Sequence, residues 1–156
     1  MQINATNSLL LILSSYFLIL GLKKAMTEKS EEIDITARTI WGEARGEGTT
    51  GMQAVANVIR NRVNGLKWFG STFKEVCLKP RQFSAWEDLN RPKMLAVDTS
   101  NPQFKQAVEI AKKAVAGTLP DITNGANHYH NVNIKPSWSD NKKLTVIIGN
   151  HAFYKL

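Results

Sequence analysis

The sequence is poor in cysteine, in long runs of one charge and in repeats. Its single cysteine, Cys77, excludes an internal disulfide, so folding does not depend on an oxidising compartment. The longest basic runs are lysine pairs, and neither a zinc-finger spacing nor an RNP-like aromatic box is present, which argues against a nucleic-acid-binding protein. The 156 residues are 43% hydrophobic and 21% charged, a globular composition that fits one domain with a short appendage.

The charge of the chain is predominantly positive. Twenty lysines and arginines stand against 13 acidic residues, which gives a net charge of +7. Such a balance favours an anionic partner: nucleic acid, acidic lipid or an anionic cell-wall polymer. Because the basic residues are scattered, nucleic acid is the least favoured of the three, and we predict no nucleic-acid partner.

No cofactor or metal is expected from the pattern of potential ligands. His128, His130 and His151 have no matching acidic partner at metal-ligand spacing. Cys77 stands in an apolar segment, where a small buried hydrophobe is the expected role. A thiol–histidine pair with one of the three histidines stays open as an alternative.

An uncharged apolar segment occupies residues 8–22. As a helix it would span roughly 22 Å, less than the roughly 30 Å of a hydrocarbon core. Counting from residue 3 lengthens the uncharged stretch to 20 residues. Three interpretations stay open: a membrane anchor, a poorly matched export signal, or a hydrophobic helix packed on the domain. We therefore divide the chain into an N-terminal hydrophobic segment (1–25), a polar linker (26–32) and a domain (33–156).

Hydrophobic periodicity predicts an α+β fold, mainly helical, with a small β-element near the C-terminus. Apolar stripes indicate long helices, and β-branched and aromatic residues followed by turn signals indicate short strands. The predicted helices cover about 33–45, 51–64 and 102–116, and the predicted strands cover 128–132, 145–148 and 151–154.

Two carboxylates, Glu43 and Glu47, lie four residues apart in the stretch ARTIWGEARGEG (37–48). Glu43 lies beside a buried stripe near the end of the first predicted helix, since Gly46 and Gly48 indicate a helix stop. A carboxyl group there is partly desolvated, which favours the protonated form that a general acid needs. The alternative is a solvated helix end whose acid pairs with Arg45.

With these segments placed, the chain resembles the SleB-type cell wall hydrolases, the catalytic domains of spore-cortex-lytic enzymes and of related bacteriophage endolysins. The resemblance covers roughly residues 33–156. It is carried by ARTIWGEARGEGTTGMQAVANVIRNRV (37–63), FKEVCLKPRQFS (73–84), GANHYHN (125–131) followed by PSW (136–138), and IGNHAFY (148–154). Four separated blocks in the right order make the match specific.

The resemblance implies a lysozyme-like fold and an enzyme that cuts the glycan strands of peptidoglycan, typically as a lytic transglycosylase. The family's catalytic acid is the first glutamate of the GEARGE motif, which corresponds to Glu43. In this scheme Glu43 acts first as acid and then as base, and forms a 1,6-anhydro product. If water completed the second step instead, the enzyme would be a muramidase.

Seven further residues are candidates for substrate contact, each with a structural alternative. Glu47 could tune Glu43 by charge repulsion, or it could be a surface residue or helix-cap acceptor. The others could line the glycan groove through stacking or hydrogen bonds to N-acetyl groups, or could belong to the framework. These are Gln82, Phe83, Tyr129, His130, Asn131 and Trp138.

The N-terminal segment and the missing wall-binding domain make the chain look like a phage lysis enzyme of the signal-anchor-release type. That origin predicts peptidoglycan and, through residues 8–22, the bacterial membrane as partners. The expected location is the inner membrane and the periplasm or cell wall, after synthesis in the host cytoplasm if the chain is phage-encoded. The competing hypotheses are a non-catalytic, membrane-anchored wall-binding protein and a basic nucleic-acid binder. The sequence leaves the oligomeric state open.

Overall fold

The computed structural model describes residues 5–156, with the surroundings of side chains described from residue 13 onward. The helices are α1 (Ala5–Ala44), α2 (Gly48–Val63), α3 (Phe73–Leu78), α4 (Arg91–Ala96) and α5 (Pro102–Val115). The strands are β1 (His128–Asn131), β2 (Leu144–Ile148) and β3 (His151–Tyr154). Short 3₁₀ turns occupy Arg45–Glu47, Lys67–Phe69, Ser84–Trp86 and Asn141–Lys143. The predicted α+β class is confirmed.

Contacts divide the chain into two units, of which the first ends at Glu31 and the second runs from Glu32 to Leu156. In the first unit the described apolar side chains are exposed, Phe17 and Leu18 among them. Among the residues that the structure describes, no helix combines the length and apolar character needed to cross a membrane. The predicted anchor at 8–22 falls partly on residues 8–12, whose side chains lie outside the described part.

The segment predicted as a polar linker, 26–32, is helical and belongs to α1. Its lysine, glutamates and methionine are good helix formers, and charged pairs four residues apart support a helix. One such pair joins Lys24 and Glu28 at 3.9 Å, just before and inside this segment. The charge of this segment predicts exposure to solvent, but it does not distinguish a solvated helix from an irregular linker.

The core of the second unit is built from the apolar stripes that the periodicity predicts. On the last three turns of α1 the buried residues include Ala37, Ile40 and Trp41, each at most 3% exposed. The stripe of α2 is buried at Met52, Val55, Ala56 and Ile59, and α5 contributes Phe104 and Ala111. Helix α5 begins as predicted, because the side-chain oxygen of Asn101 accepts a hydrogen bond from the Phe104 amide at 3.0 Å.

The three strands form one antiparallel sheet with the order β1-β3-β2. Tyr129 pairs with Phe153, and the β2–β3 connection turns at Gly149 with φ +55°. Helix α2 packs on this sheet through a second cluster of buried residues, Ala54, Val58, Ala126 and Phe153. The sheet is thereby fixed to the helical core at the level of Tyr129, which packs against both clusters.

Candidate active site

The site is organised around Glu43, one residue before the end of α1. The preceding residue, Gly42, allows the 3₁₀ turn Ser84–Trp86 to approach the helix. A Cβ added at Gly42 would lie 2.6 Å from both the Ala85 Cβ and the Met94 sulfur. A side chain at position 42 would therefore push this turn away from α1.

The half-buried carboxylate of Glu43 accepts three hydrogen bonds from two distant segments. Its Oε1 accepts from the Ala85 amide at 2.8 Å and from the Ser84 hydroxyl at 3.2 Å. Its Oε2 accepts from the Tyr129 hydroxyl at 2.7 Å. The glutamate is thus fixed between the loop after α3 and strand β1, and the alternative of a merely solvated helix end is wrong.

The two oxygens of Glu43 have partners of different kinds. The Ala85 amide can only donate, whereas the Tyr129 hydroxyl can donate or accept. A proton on the carboxyl group can bond the Tyr129 hydroxyl from Oε2 or the Ser84 hydroxyl from Oε1, since both hydroxyls can also accept. Burial, followed by the neighbouring Glu43 charge and their hydrogen bond, raises the pKa of Tyr129 well above its usual value. The phenol consequently keeps its proton and stays available as a donor.

Arg45, which the solvated-helix-end alternative paired with an acid, instead bonds the preceding helix turn. Its Nη1 donates to the Gly42 carbonyl at 3.0 Å, and its guanidinium lies 4.6 Å from the Trp41 ring centroid. These contacts cover the end of α1 beside Glu43 without occupying the carboxylate.

Arg62, which was not predicted from the sequence, supports the loop that holds Glu43. It is 7% exposed, and its guanidinium lies between the rings of Phe69 and Phe83, 5.1 and 5.2 Å from their centroids. It donates to the Asn127 carbonyl at 2.8 Å and to the Gln82 side-chain oxygen at 2.9 Å. Burial lowers the pKa of this guanidinium, and electrostatic interactions with Tyr129, Cys77 and Glu43 oppose that shift.

The position of Arg62 in α2 is the feature of the sequence that indicates its burial. It follows Ile59 by three residues and Val58 by four, which places it on the buried side of α2. A charged residue at such a position is rarely buried without specific partners.

Gln82 and Phe83 are framework residues in this structure. The amide of Gln82 is bonded at both ends, since it also donates to the Phe69 carbonyl at 3.0 Å. The ring of Phe83 is 3% exposed and belongs to the core, which leaves little open surface for stacking on a sugar. This burial fits the framework alternative for Phe83, because the ring completes the packing around Arg62. Together the two residues set the position of Ser84 and Ala85.

Glu47 holds the β2–β3 turn. Its two carboxylate oxygens accept from the main-chain and side-chain nitrogens of Asn150, both at 2.9 Å. These hydrogen bonds lower the pKa of Glu47, with a smaller contribution from His151. Glu47 makes no side-chain cap to α2, so the helix-cap alternative is wrong. Its proposed effect on Glu43 stays a prediction.

Strand β1 separates the remaining candidates onto two faces. Tyr129 packs with Phe153 and His151, with ring centroids 5.7 and 5.2 Å away. His130 lies on the opposite face, stacked on Tyr154 at 5.1 Å and 5.4 Å from Trp138. These residues therefore do not line one groove with Tyr129.

The polar atoms of His130 and Asn131 also have local partners. The ring nitrogens of His130 lie 2.8 Å from the Asn131 carbonyl and 3.1 Å from the Tyr154 hydroxyl. The side-chain oxygen of Asn131 accepts from the Asn133 amide at 2.9 Å. Trp138 stays 38% exposed, so its indole has an open surface. A role in substrate binding stays a prediction for all three.

Neither a thiol nucleophile nor a metal ligand set accompanies this carboxylate in the described part of the chain. Burial raises the pKa of Cys77 to about 12, which keeps the thiol protonated and fits its role as a small buried hydrophobe. Among residues 5–156, no group of three or more His, Cys, Asp or Glu side chains is placed to hold a metal ion.

Comparison with known proteins gives consistent results. The cell wall hydrolase family matches residues 46–154. Spore cortex-lytic enzymes of Bacillus cereus and Halalkalibacterium halodurans are 33% and 31% identical over 127 and 125 residues. These alignments cover 80% and 78% of this chain but 44% and 34% of the relatives, so the chain spans less than half of their length.

Two solved structures share the fold. The catalytic domain of the Bacillus cereus SleB protein aligns with a TM-score of 0.61 and 29% identity, over 81% of this chain and 91% of that one. The catalytic domain of the germination-specific lytic transglycosylase SleB from Bacillus anthracis aligns with a TM-score of 0.63 and 31% identity, over 80% and 93%. The family match over most of this chain, together with the shared fold, shows that the chain belongs to the cell wall hydrolase family, as a SleB-type member.

Proposed function

We propose that this protein cleaves the glycan strands of peptidoglycan between N-acetylmuramic acid and N-acetylglucosamine, as a lytic transglycosylase. The observation that carries the proposal is the Glu43 carboxylate, fixed by the Ala85 amide, the Ser84 hydroxyl and the Tyr129 hydroxyl. The family and its SleB relatives, one of them described as a lytic transglycosylase, support the substrate class.

In the first step, neutral Glu43 protonates the glycosidic oxygen. The proton leaves the carboxyl group, which the Ala85 amide and the Ser84 and Tyr129 hydroxyls hold in place. The bond between the muramic C1 and the glycosidic oxygen breaks, and its electron pair stays with that oxygen. The resulting oxocarbenium-like centre is stabilised by the neighbouring N-acetyl group of the sugar.

In the second step, the Glu43 carboxylate takes the proton of the muramic C6 hydroxyl. The C6 oxygen then attacks C1 and closes the 1,6-anhydro ring, so that no water is consumed. Ala85, Ser84 and Tyr129 stabilise the carboxylate between the two steps. A second carboxylate nucleophile is not required, and Glu47 is occupied by Asn150.

The cell wall or periplasm is the location that this activity requires. The net charge of +7 supports retention on an anionic wall polymer. Membrane association through residues 8–22 and a phage origin belong to the same proposal and rest on the sequence alone. They predict that the full chain partitions with membrane fractions.

The test compares the full-length protein with Glu43→Gln on purified peptidoglycan, with mass spectrometry of the released fragments. A Glu87→Gln variant is the matched control, since it removes one charge from an exposed glutamate. We expect anhydromuropeptides from the wild type and from E87Q, and none from E43Q. Fragments with reducing ends would show that the second step is hydrolysis and not transglycosylation. No release by the wild type, with sedimentation alongside the wall, would leave a wall-binding protein.

A further inference from the structure

A second concave surface lies on α3 and the 3₁₀ turn before it. It has a volume of about 590 Å³, and Glu43 is not among its lining residues. Lys67, Lys74 and Lys79 line it together with Phe69 and Leu78. The ammonium groups of Lys67 and Lys79 at one cavity favour an anionic ligand.

The one carboxylate that lines this cavity is already used within the fold. Oε2 of Glu75 accepts a hydrogen bond from the Ser71 amide at 2.7 Å, and the Glu75 amide donates to Thr72 at the start of α3. These two hydrogen bonds form a reciprocal helix cap, which keeps the Glu75 carboxylate bonded to the main chain. Lysine charge therefore predominates in the cavity.

The cavity also has apolar surface at Leu78, and the indole of Trp68 lies beside one of its lysines. Trp68 is 56% exposed and Leu78 is 40% exposed. The ammonium group of Lys79 lies 5.3 Å from the centroid of the Trp68 ring, which holds this half-buried lysine beside the indole. A ligand that combines carboxylates with aliphatic groups would match this lining better than a bare inorganic anion.

Gly70 shapes one wall of the cavity. It has φ +132°, and an added Cβ would lie 2.8 Å from the main-chain nitrogen of Val76. Only glycine allows this close approach of the turn to α3. The cavity is thus set by backbone packing and is not a gap between flexible side chains.

The cavity adjoins a groove that the loop holding Glu43 helps to line. Leu78 and Lys79 also line an adjacent groove of about 430 Å³, whose other walls include Phe83 and Trp86. Ser84 and Ala85, which bind the Glu43 carboxylate, lie between these two aromatic residues in sequence. A ligand in the cavity can therefore be a branch of the strand that reaches Glu43.

We propose that the cavity around Lys67 and Lys79 binds the carboxylates of the peptide stem attached to the muramic acid. The proposal rests on the proposed function, because that function supplies the glycan strand. The two ammonium groups bind the carboxylates, while Trp68 and Leu78 contact the aliphatic side chains of the stem. The site thereby selects peptide-bearing stretches of glycan.

The test uses full-length K67Q/K79Q and two substrates: intact peptidoglycan, and the same glycan after an amidase has removed the peptides. K142Q/K143Q is the matched control, because both lysines are exposed in a turn outside the cavity. We expect K67Q/K79Q to raise KM for intact peptidoglycan about tenfold, to leave kcat unchanged, and to match the wild type on stripped glycan. An equal loss on both substrates, or no loss, would overturn the proposal.

Binding is measured separately from turnover, so the two proposals can fail independently. The probe is a soluble stem tetrapeptide with free carboxylates, titrated into the wild type while the amide signals of Gly70 and Leu78 are followed by NMR. We expect shifts in the wild type and in K142Q/K143Q and their loss in K67Q/K79Q. Absence of shifts with the peptide would overturn the site, as would shifts caused only by a phosphodiester wall polymer. Absence of cleavage alone would overturn only the proposed function.

Discussion

Tyr129 and Glu43 are 86 residues apart in the sequence, yet the phenol hydroxyl of one donates to the carboxylate of the other at 2.7 Å. This bond joins strand β1 to the end of α1 and provides Oε2 with its hydroxyl partner. The helix, the loop and the sheet therefore meet at one carboxyl group.

Tyr129→Phe keeps the ring that packs on Phe153 and removes this donor. A hydrogen bond to a charged group contributes about 1.5–3 kcal/mol, so we expect kcat for fragment release to fall roughly 10- to 100-fold. Tyr16→Phe is the control, because Tyr16 is exposed and loses the same hydroxyl. An unchanged kcat in Y129F would show that the phenol does not assist the reaction.

Arg62→Lys retains a positive charge but loses the planar guanidinium that lies between Phe69 and Phe83. An ammonium group cannot reproduce both of its hydrogen bonds, to Gln82 and Asn127, together with this stacking. We expect the free energy of unfolding in urea to fall by about 1–3 kcal/mol. Arg91→Lys, at an exposed position, should leave it unchanged. Equal stability of the two variants would contradict the role assigned to Arg62.

Glu47→Gln tests the attachment of the β2–β3 turn. Because the folded pKa of Glu47 lies below its ordinary value of 4.5, its carboxylate stabilises the fold above that pH, and this contribution is lost as pH falls through the folded pKa. We expect E47Q to lower Tm by about 2–4 °C at pH 7, with the difference closing below pH 4.5. E87Q serves as the control. A difference in Tm that did not change with pH would mean that E47Q acts through packing and not through the carboxylate charge.

His128 is expected to stay neutral in mildly acidic solution. Burial, and then the charge of Arg62, lowers its pKa from 6.5 to about 4. The unfolded chain binds a proton below pH 6.5 while the folded chain does not, so stability is lost as pH falls from 6.5 toward 4. His128→Gln should flatten the stability curve in this range, and NMR titration of the wild-type ring should give a midpoint near 4. A midpoint near 6.5 would contradict the burial of this imidazole.

Local patterns predicted most of the helices, and the resemblance to the SleB-type hydrolases selected Glu43 as the residue at the centre of the candidate site. The stripes through Ile40 and Val55 and the cap at Asn101 are local signals, and the structure bears them out. The partners of Glu43 are not local, since they depend on how the sheet and the loop pack against α1. Sequence proximity to the motif therefore could not identify Ala85 or Tyr129 as those partners.

The sequence alone already separates two of the candidate residues. Tyr129 and His130 are neighbours in a strand, and alternation sends their side chains to opposite faces. The two side chains therefore cannot line the same groove, whichever face of the sheet packs against the helices. The burial of Phe83, in contrast, depends on Arg62 reaching it from α2, which no local pattern reports.

The order of the strands has a consequence for synthesis of the chain. β3 lies in the middle of the sheet, so β1 and β2 have no common partner until residues 151–154 are present. Chains emerge from the ribosome from the N-terminus onward, and their elements pack as partners become available. Tyr129 can reach its place beside Glu43 only after translation has passed residue 154, so the nascent chain carries an unassembled carboxylate site until then.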